Sequence, residues 1–269
     1  MNVKIRKELK GKEMKMFIYA SAFLLYVAAF LLATPTEILQ GMRTIIWSKD
    51  ALITDYFKLA GHGAAFLNAG LVLTIGILLV NFARLPFTGI TVAALAIDDC
   101  FGFWGKNPVN IFPVFLGVIL YAKLHKVNVG RYLYTALFGA CLGPVITELM
   151  YKLPFSFEIK LIMTLIIGIS IGMMLPPLSA HTVSMHMGYN LFNVGFSGGV
   201  LAFAVVCIMR SFSLEIEPAE WGCIRTAKSL KTSGTCYCGL CNYGWSGCDI
   251  DEYVNRRDCC RDLYIMYRR

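Results

Sequence analysis

Two segments of the chain carry an asparagine between two glycines at the same spacing, each with a histidine just upstream. They are His62, Gly63, Asn68 and Gly70 in the first segment, and His186, Gly188, Asn193 and Gly195 in the second. An amide offers donors and acceptors without a charge to desolvate, and glycines let helices approach closely or unwind. The pattern predicts a site for a neutral polar or weakly ionised solute. The alternative is that both asparagines only hydrogen-bond between helices.

Other polar residues stand between these segments in apolar surroundings. Adjacent carboxylates at membrane depth are costly and face a polar interior, so we add Asp98 and Asp99 to the candidate solute-binding residues; the alternative is that they mark the outer end of a short helix. Asn107 and Asn110 flank an Asn-Pro turn or helix start and complete the set. Neither His181 nor His186 has an acid or thiolate near enough in sequence to complete a metal site. We expect no metal, no cofactor and no catalytic residue.

The composition is that of a membrane protein. Hydrophobic residues make up 57% of the 269 residues and charged residues only 16%, with a mean hydropathy of +0.61. At about 20 residues per spanning helix, the length allows about seven or eight spans. Much of the net charge of +8 lies near the two ends, where it suits anionic lipid better than nucleic acid. The expected partners are the lipid bilayer and a small polar solute, with a second copy of the chain as a further candidate.

We predict seven transmembrane helices. The first two cover residues 16–33 and 61–83, the fourth ends at Tyr121, the fifth covers 132–150, and two more share 161–209 with a break at Pro176 and Pro177. The third must carry Asp98 and Asp99 within it or enter the membrane and turn back. Basic residues place the N-terminus and the 123–131 loop in the cytoplasm. Residues 37–58 then lie outside, as an amphipathic interfacial segment with Trp47 and Tyr56 or as a plain loop.

In this topology the two asparagine segments have opposite orientations in the membrane, because five spans, an odd number, lie between matching positions of the two segments. Opposite copies are typical of inverted-repeat transporters. The expected fold is therefore an all-α polytopic membrane protein with an incomplete second repeat. Its predicted parts are a basic cytoplasmic N-terminus (1–15), a first repeat of five spans (16–152), the start of a second repeat (153–209) and a tail (210–269).

The tail differs in composition from the rest of the chain. It holds seven of the ten cysteines, and none of its apolar runs is long enough to span. The cluster Cys236, Cys238, Cys241 and Cys248 suggests a zinc site, but its spacing does not give two Cys-x-x-Cys pairs. A cytoplasmic location argues against disulfides. We expect instead a reading-frame shift near residues 217–221 that replaces three missing spans. In that case another frame of the encoding DNA restores them, and this product is inactive or unstable.

Three stretches carry a resemblance to a known family: KLAGHGAAFLNAGLV, GFWGKNPVNIFPVFLGVILYAK and MGYNLFNVGFSGGVLAFAVV. They resemble a family of bacterial multi-spanning membrane proteins, mostly from Firmicutes, known as domain of unknown function 1576. The resemblance covers residues 16–218. Family members continue with further spans after a sequence like Glu217-Pro218-Ala219, which implies that this chain is truncated or frame-shifted. A weaker likeness to urea transporters lies in two inverted five-span halves and implies no substrate.

The leading functional hypothesis is a permease or channel for a small solute in the cell membrane, and not an enzyme. One alternative is a membrane-embedded enzyme that uses Asp98 and Asp99 with His62 for proton transfer or metal-assisted hydrolysis. No metalloprotease or phosphate-binding spacing supports it. The other alternative is a membrane-anchored module that binds zinc through the cysteine-rich tail.

Overall fold

The chain folds into helices joined by short loops. The computed structural model describes residues 3–48, 54–187, 189 and 193–212, which contain ten α-helices and no β-strand. This confirms the all-α class. The predicted tail features and Gly188 lie outside the described residues. In chain order the helices are α1 Val3–Leu32, α2 Pro35–Trp47, α3 Tyr56–Ala60, α4 His62–Phe82, α5 Gly89–Cys100, α6 Pro108–Leu124, α7 Leu133–Gly139, α8 Gly143–Lys152, α9 Phe157–Met185 and α10 Asn193–Ser211.

Among the described residues, 5 stretches are long and apolar enough to cross a membrane. They are Gly11–Leu32, α4, the stretch Val129–Lys152 that contains α7 and α8, α9 and α10. A helix rises about 1.5 Å per residue, and about 20 residues are needed to cross. With 12 and 17 residues, α5 and α6 are shorter than that. These two helices are the predicted third and fourth spans, and the count of seven stays a prediction.

The helices α5 and α6 form a hairpin that starts and ends at the same end of the protein. A β-carbon placed on Gly130, just after α6, would lie 3.3 Å from the Ala83 carbonyl oxygen, just before α5. The tip of the hairpin, residues 101–107, reaches the other end of α4, where Trp104 forms a backbone bridge with Asp55. The chain therefore turns back at the tip, with Asp98 and Asp99 just before the turn.

Two short helices cover the end of the protein where the tip lies. Thr34 caps α2 in a capping box with Glu37, and the hydrogen bonds from Thr34 hold the pKa of Glu37 below its usual range. The segment predicted as interfacial or loop is thus partly helical. Trp47 at the end of α2 is exposed as expected, whereas Tyr56 at the start of α3 is fully buried and does not lie at an interface.

The structure differs from the predicted spans at two places. The predicted fifth span is interrupted, and a helix continues through the two prolines where a break was predicted. A 3-10 turn, Ala140–Leu142, separates α7 from α8. The predicted break at Pro176 and Pro177 is wrong, because both prolines lie inside α9. Proline removes a backbone donor, but such sites are tolerated in membrane helices where neighbouring groups satisfy the freed backbone. The two prolines leave the carbonyl oxygens of Gly172 and Met173 without their usual N–H donors, and the helix nevertheless continues to Met185.

Close contact between α6 and α9 joins the hairpin to the later helices. The apolar core packs α4 to α7 through residues such as Val72, Leu95 and Leu137. On the other face of α6, a β-carbon added at Gly172 would overlap the Val114 carbonyl oxygen and lie 2.9 Å from the Gly117 α-carbon. Small residues at such positions allow the van der Waals contacts that hold membrane helices together.

We predict that Gly172→Ala destabilises the protein, because the added methyl group forces α6 and α9 apart. Overpacking of this kind costs about 1–3 kcal/mol. Gly199→Ala in α10 is the matched control, since a β-carbon there meets nothing within 4 Å, and alanine favours a helix over glycine by about 1 kcal/mol. Unfolding of both variants in mixed micelles measures the difference. Equal stability of the two variants would contradict the described contact.

Candidate functional site

A buried ion pair joins the two arms of the hairpin. Asp98 lies in the last turn of α5, and Lys106 lies in the tip just before α6; their side chains are 0% and 1% exposed. Lys106 Nζ donates to Asp98 Oδ1 and also lies 3.4 Å from the Leu137 carbonyl oxygen and 4.0 Å from Cys141 Sγ. Lys106 thus connects the hairpin to the interruption between α7 and α8.

The ion pair lies well inside the helical bundle. Asp98 Oδ2 would be 3.5 Å from a β-carbon on Gly76. Gly76 is fourteen residues into α4, which is about 21 Å from its start. Asp98 therefore lies in the last turn of a short helix, as the alternative had it, but with its side chain buried against the middle of α4. Asp99 is only partly buried, but its Oδ1 atom is buried.

Asn68 fastens the hairpin tip to α4. Its Nδ2 atom donates to the carbonyl oxygens of Gly102 at 2.6 Å and Lys106 at 2.7 Å. The backbone of Gly102 packs directly against Ala69, with no room for a β-carbon between them. Carbonyl groups in a tip without helical partners need donors of this kind in apolar surroundings, and the single amide supplies two.

Two further asparagines order the start of α6. Asn107 and Asn110 form a reciprocal capping box. The side-chain oxygen of Asn107 accepts from the backbone N–H of Asn110, and the side-chain oxygen of Asn110 accepts from the backbone N–H of Asn107. Asn110 Nδ2 also donates to the Gly105 carbonyl oxygen at 2.9 Å and the Thr147 hydroxyl at 3.2 Å. Gly105 has φ of 85°, a conformation that side-chain-bearing residues rarely adopt. The turn therefore directs both Lys106 and Asn107 into the protein.

Aromatic rings cover the tip from the side of α3. Phe57 stacks on Phe103 with a centroid distance of 5.2 Å and an interplanar angle of 9°, and Phe66 meets both rings edge-on. His62 packs against Phe57 at 5.6 Å and is exposed. Since His62 begins α4 and Asp98 lies beside Gly76, the structure does not bring this histidine to the carboxylates.

The second asparagine segment makes a separate polar cluster between α9 and α10. Asn193 Oδ1 accepts from the Thr182 hydroxyl at 2.7 Å and lies 2.9 Å from His186 Nε2. Its Nδ2 atom donates to the Ser179 carbonyl oxygen at 2.6 Å, and Thr182 also meets the Ser197 hydroxyl. Asn68 and Asn193 thus have unlike partners: one binds the backbone of a hairpin tip, and the other binds the neighbouring helix.

The remaining predicted glycines have packing roles or are exposed. Gly63 lies against Ala33 and Gly70 lies against the ring of Tyr26, whose hydroxyl donates to the Gly70 carbonyl oxygen at 2.9 Å. Gly195 is exposed on α10. The described residues contain no group of three histidine, cysteine, aspartate or glutamate side chains that could hold a metal ion.

Sequence reasoning missed Lys106. The residue was visible as part of a turn, but no role followed from its position next to glycine and asparagine. The available signal was charge compensation: a lysine within eight residues of two carboxylates, in an otherwise uncharged stretch, is a candidate partner for a buried acid. The contacts with Leu137 and Cys141 could not be found this way, because they depend on where a distant helix is interrupted.

Comparison with known proteins identifies a family without assigning an activity. The model of a family described as "Protein of unknown function (DUF1576)" matches residues 34–211, which include all of the candidate site. No curated protein and no solved structure matches the chain.

We predict that Lys106→Met lowers the free energy of unfolding by about 3–5 kcal/mol, because it leaves the Asp98 carboxylate buried without a counter-charge. Adding Asp98→Asn removes that charge, so the double variant should recover at least half of the loss. Unfolding of both variants in mixed micelles gives the two values. Additive losses from the two substitutions would show that the groups do not form a pair.

Proposed function

The chain belongs to the DUF1576 family of proteins of unknown function, and we propose that it is a permease or channel for a small polar solute. The observation that carries the proposal is the meeting of two interrupted helical segments at one buried lysine. Residues 101–107 separate α5 from α6, and Ala140–Leu142 separates α7 from α8. Lys106 belongs to the first interruption, and its Nζ lies 4.0 Å from the Sγ atom of Cys141 in the second.

Helices that are interrupted at membrane depth are informative because unsatisfied backbone groups there cost free energy. Lipid provides no hydrogen-bond partners, so irregular backbone is tolerated only where protein buries it or where it lines a polar cavity. In many transporters the solute and ion sites are formed by discontinuous helices near the middle of the bilayer. A buried ion pair adds little stability beyond what apolar packing would supply, so its presence at the interruptions favours a role in transport.

The polar groups at this place favour a small and weakly charged solute. Asp98 and Lys106 neutralise each other, and Asn68 and Asn110 add amides without charge. Such groups replace the hydration of a neutral polar or weakly ionised molecule. We keep the inverted duplication as part of the proposal: the Asn193 segment is the second copy of the Asn68 segment, and both copies contribute to the pathway.

The test is solute flux in liposomes that contain the full chain. Urea, glycerol and acetate are suitable probes, and the rate of vesicle reswelling after osmotic shrinkage reports their entry. We predict that at least one probe enters faster than into protein-free liposomes, which requires that the described helices form the pathway without the three further spans expected from the sequence. The double variant Asp98→Asn/Lys106→Met should reduce that rate to the protein-free value, because it removes both charged groups of the proposed pathway. Since the two charges are removed together, no unbalanced charge is left buried.

Lys123→Met is the matched control, since it removes an exposed lysine from the other end of α6. It should transport like the unmodified chain. Protein-free rates for all three probes with the unmodified, folded chain would contradict a pathway for small polar solutes. Undiminished flux in the double variant would show that the pathway lies elsewhere.

A further inference from the structure

Exposed basic side chains gather at the end of the protein where the hairpin begins and ends. Residues 11–15, 83–89 and 123–131 carry six lysines and arginines but a single acid, Glu13. At the tip end, by contrast, residues 34–48 and 54–61 carry two acids and two cations. None of the six forms an ion pair with a described residue. These six residues are Lys12, Lys15, Arg84, Lys123, Lys126 and Arg131.

A direct contact between two of these segments brings Arg84 and Arg131 close to each other. A β-carbon on Gly130 would lie 3.3 Å from the Ala83 carbonyl oxygen and 3.1 Å from Leu85 Cδ2. Arg84 stands between these two residues, and Arg131 directly follows Gly130. Each arginine is therefore one residue away from the same contact, and both side chains are exposed.

The ends of α4 and α6 make the same turn, and each places a cation in it. Arg84 has φ of 52° and Lys126 has φ of 54°, and the next residue in each case donates to the carbonyl oxygen five residues earlier, at 3.1 and 2.9 Å. Glycine is the usual residue at such a position, since a left-handed backbone costs other residues about 1–2 kcal/mol. An exposed cation gains only about 0.3–1 kcal/mol from the helix end. The helix ends alone therefore do not account for a cation at both turns.

Apolar side chains border this basic surface. Phe82 and Leu124, the last residues of α4 and α6, are 68% and 61% exposed. The Arg131 guanidinium lies over the ring of Tyr132, with its carbon 6.0 Å from the ring centroid, and tyrosine is enriched where hydrocarbon meets water. The cations thus lie at the level of lipid head groups, next to side chains that suit hydrocarbon. A nucleic acid would match the charges but not the apolar border.

We propose that Arg84, Lys126 and Arg131 bind the head group of an anionic phospholipid. Guanidinium groups bind phosphate oxygens through paired hydrogen bonds, and basic pockets between membrane helices bind anionic head groups. The acyl chains lie along the exposed apolar ends of α4 and α6. The site makes no use of the Asp98–Lys106 pair, so it goes beyond the proposed transport function and does not depend on it.

The test measures the thermal unfolding midpoint of the full chain in micelles of a neutral detergent that contain either phosphatidylglycerol or an equal amount of phosphatidylcholine. Both lipids have a phosphate and two acyl chains, but only phosphatidylglycerol has a net negative charge. A ligand that binds only the folded state raises the midpoint, so phosphatidylglycerol should raise it by about 2–4 °C over phosphatidylcholine. Equal midpoints in the two lipids would overturn the proposal.

Glycerol 3-phosphate distinguishes a lipid site from a site for a soluble anion. It offers a phosphate monoester without acyl chains, and we expect it to leave the midpoint unchanged in phosphatidylcholine micelles. A rise as large as that with phosphatidylglycerol would show that the acyl chains contribute nothing, which would contradict a lipid ligand.

The variant Arg84→Gly/Lys126→Gly removes two cations without straining the backbone, because glycine suits both left-handed positions. This variant, and Arg131→Gln separately, should lose at least half of the response to phosphatidylglycerol. Arg43→Gln/Lys160→Gln is the matched control. It removes two cations at the tip end, where α2 and the start of α9 meet through Trp47 and Phe157, and it should respond like the unmodified chain. An equal loss in the control would show attraction by net charge alone, and undiminished responses in both site variants would place the lipid elsewhere; either result overturns the proposal.

Discussion

The structure depends on satisfying polar groups that the hairpin tip brings into apolar surroundings. Residues 101–107 lack a complete helical hydrogen-bond pattern, and lipid cannot supply donors or acceptors. Asn68 provides two donors to the carbonyl groups of the tip. The Asp98–Lys106 pair fixes the two arms of the hairpin to each other. Without these contacts the tip would carry unpaired groups, each of which costs about 1–3 kcal/mol when buried.

The same contacts determine where the neighbouring elements lie. Lys106 Nζ lies 4.0 Å from Cys141 Sγ in the interruption between α7 and α8, and Asn110 donates to the Thr147 hydroxyl on α8. On its other side, α6 comes very close to α9 at Gly117 and Gly172. A hairpin fixed in this way is a rigid part of the bundle. Its polar groups are then held in place by packing, which would lower the cost of binding the proposed solute.

Part of this arrangement could be predicted from the sequence. Long apolar runs correctly indicated α1, α4 and α10, because a membrane-length run has few alternatives. The short distance between Arg84 and Asp98 predicted a third span that either carries the carboxylates or turns back, and the described chain turns back just after them. Asn68 could be selected from the sequence because it places a polar amide within a long apolar run. These inferences need only local sequence and the thickness of the bilayer.

Other features depend on contacts between distant residues and were missed or wrong. Nothing near Pro176 and Pro177 shows that α9 continues through them; local signals favour a break. The interruption between α7 and α8 could not be linked to the hairpin from the sequence, because Lys106 comes close to it only in the folded chain. The partners of Asn193 come from α9, so its likeness to Asn68 in sequence does not extend to like contacts in the structure.

The most direct test of the account is a cross-link between the two ends of the hairpin. Cysteines would replace Leu85 and Gly130 in a chain without other cysteines, and a short thiol cross-linker would be added in the membrane. A β-carbon on Gly130 would lie 3.1 Å from Leu85 Cδ2, so we predict rapid cross-linking. An odd number of crossings between these residues would separate them by about 30 Å of hydrocarbon, whereas a hairpin and two full spans both keep them together. Failure to cross-link, with both cysteines reactive to thiol reagents, would contradict the hairpin.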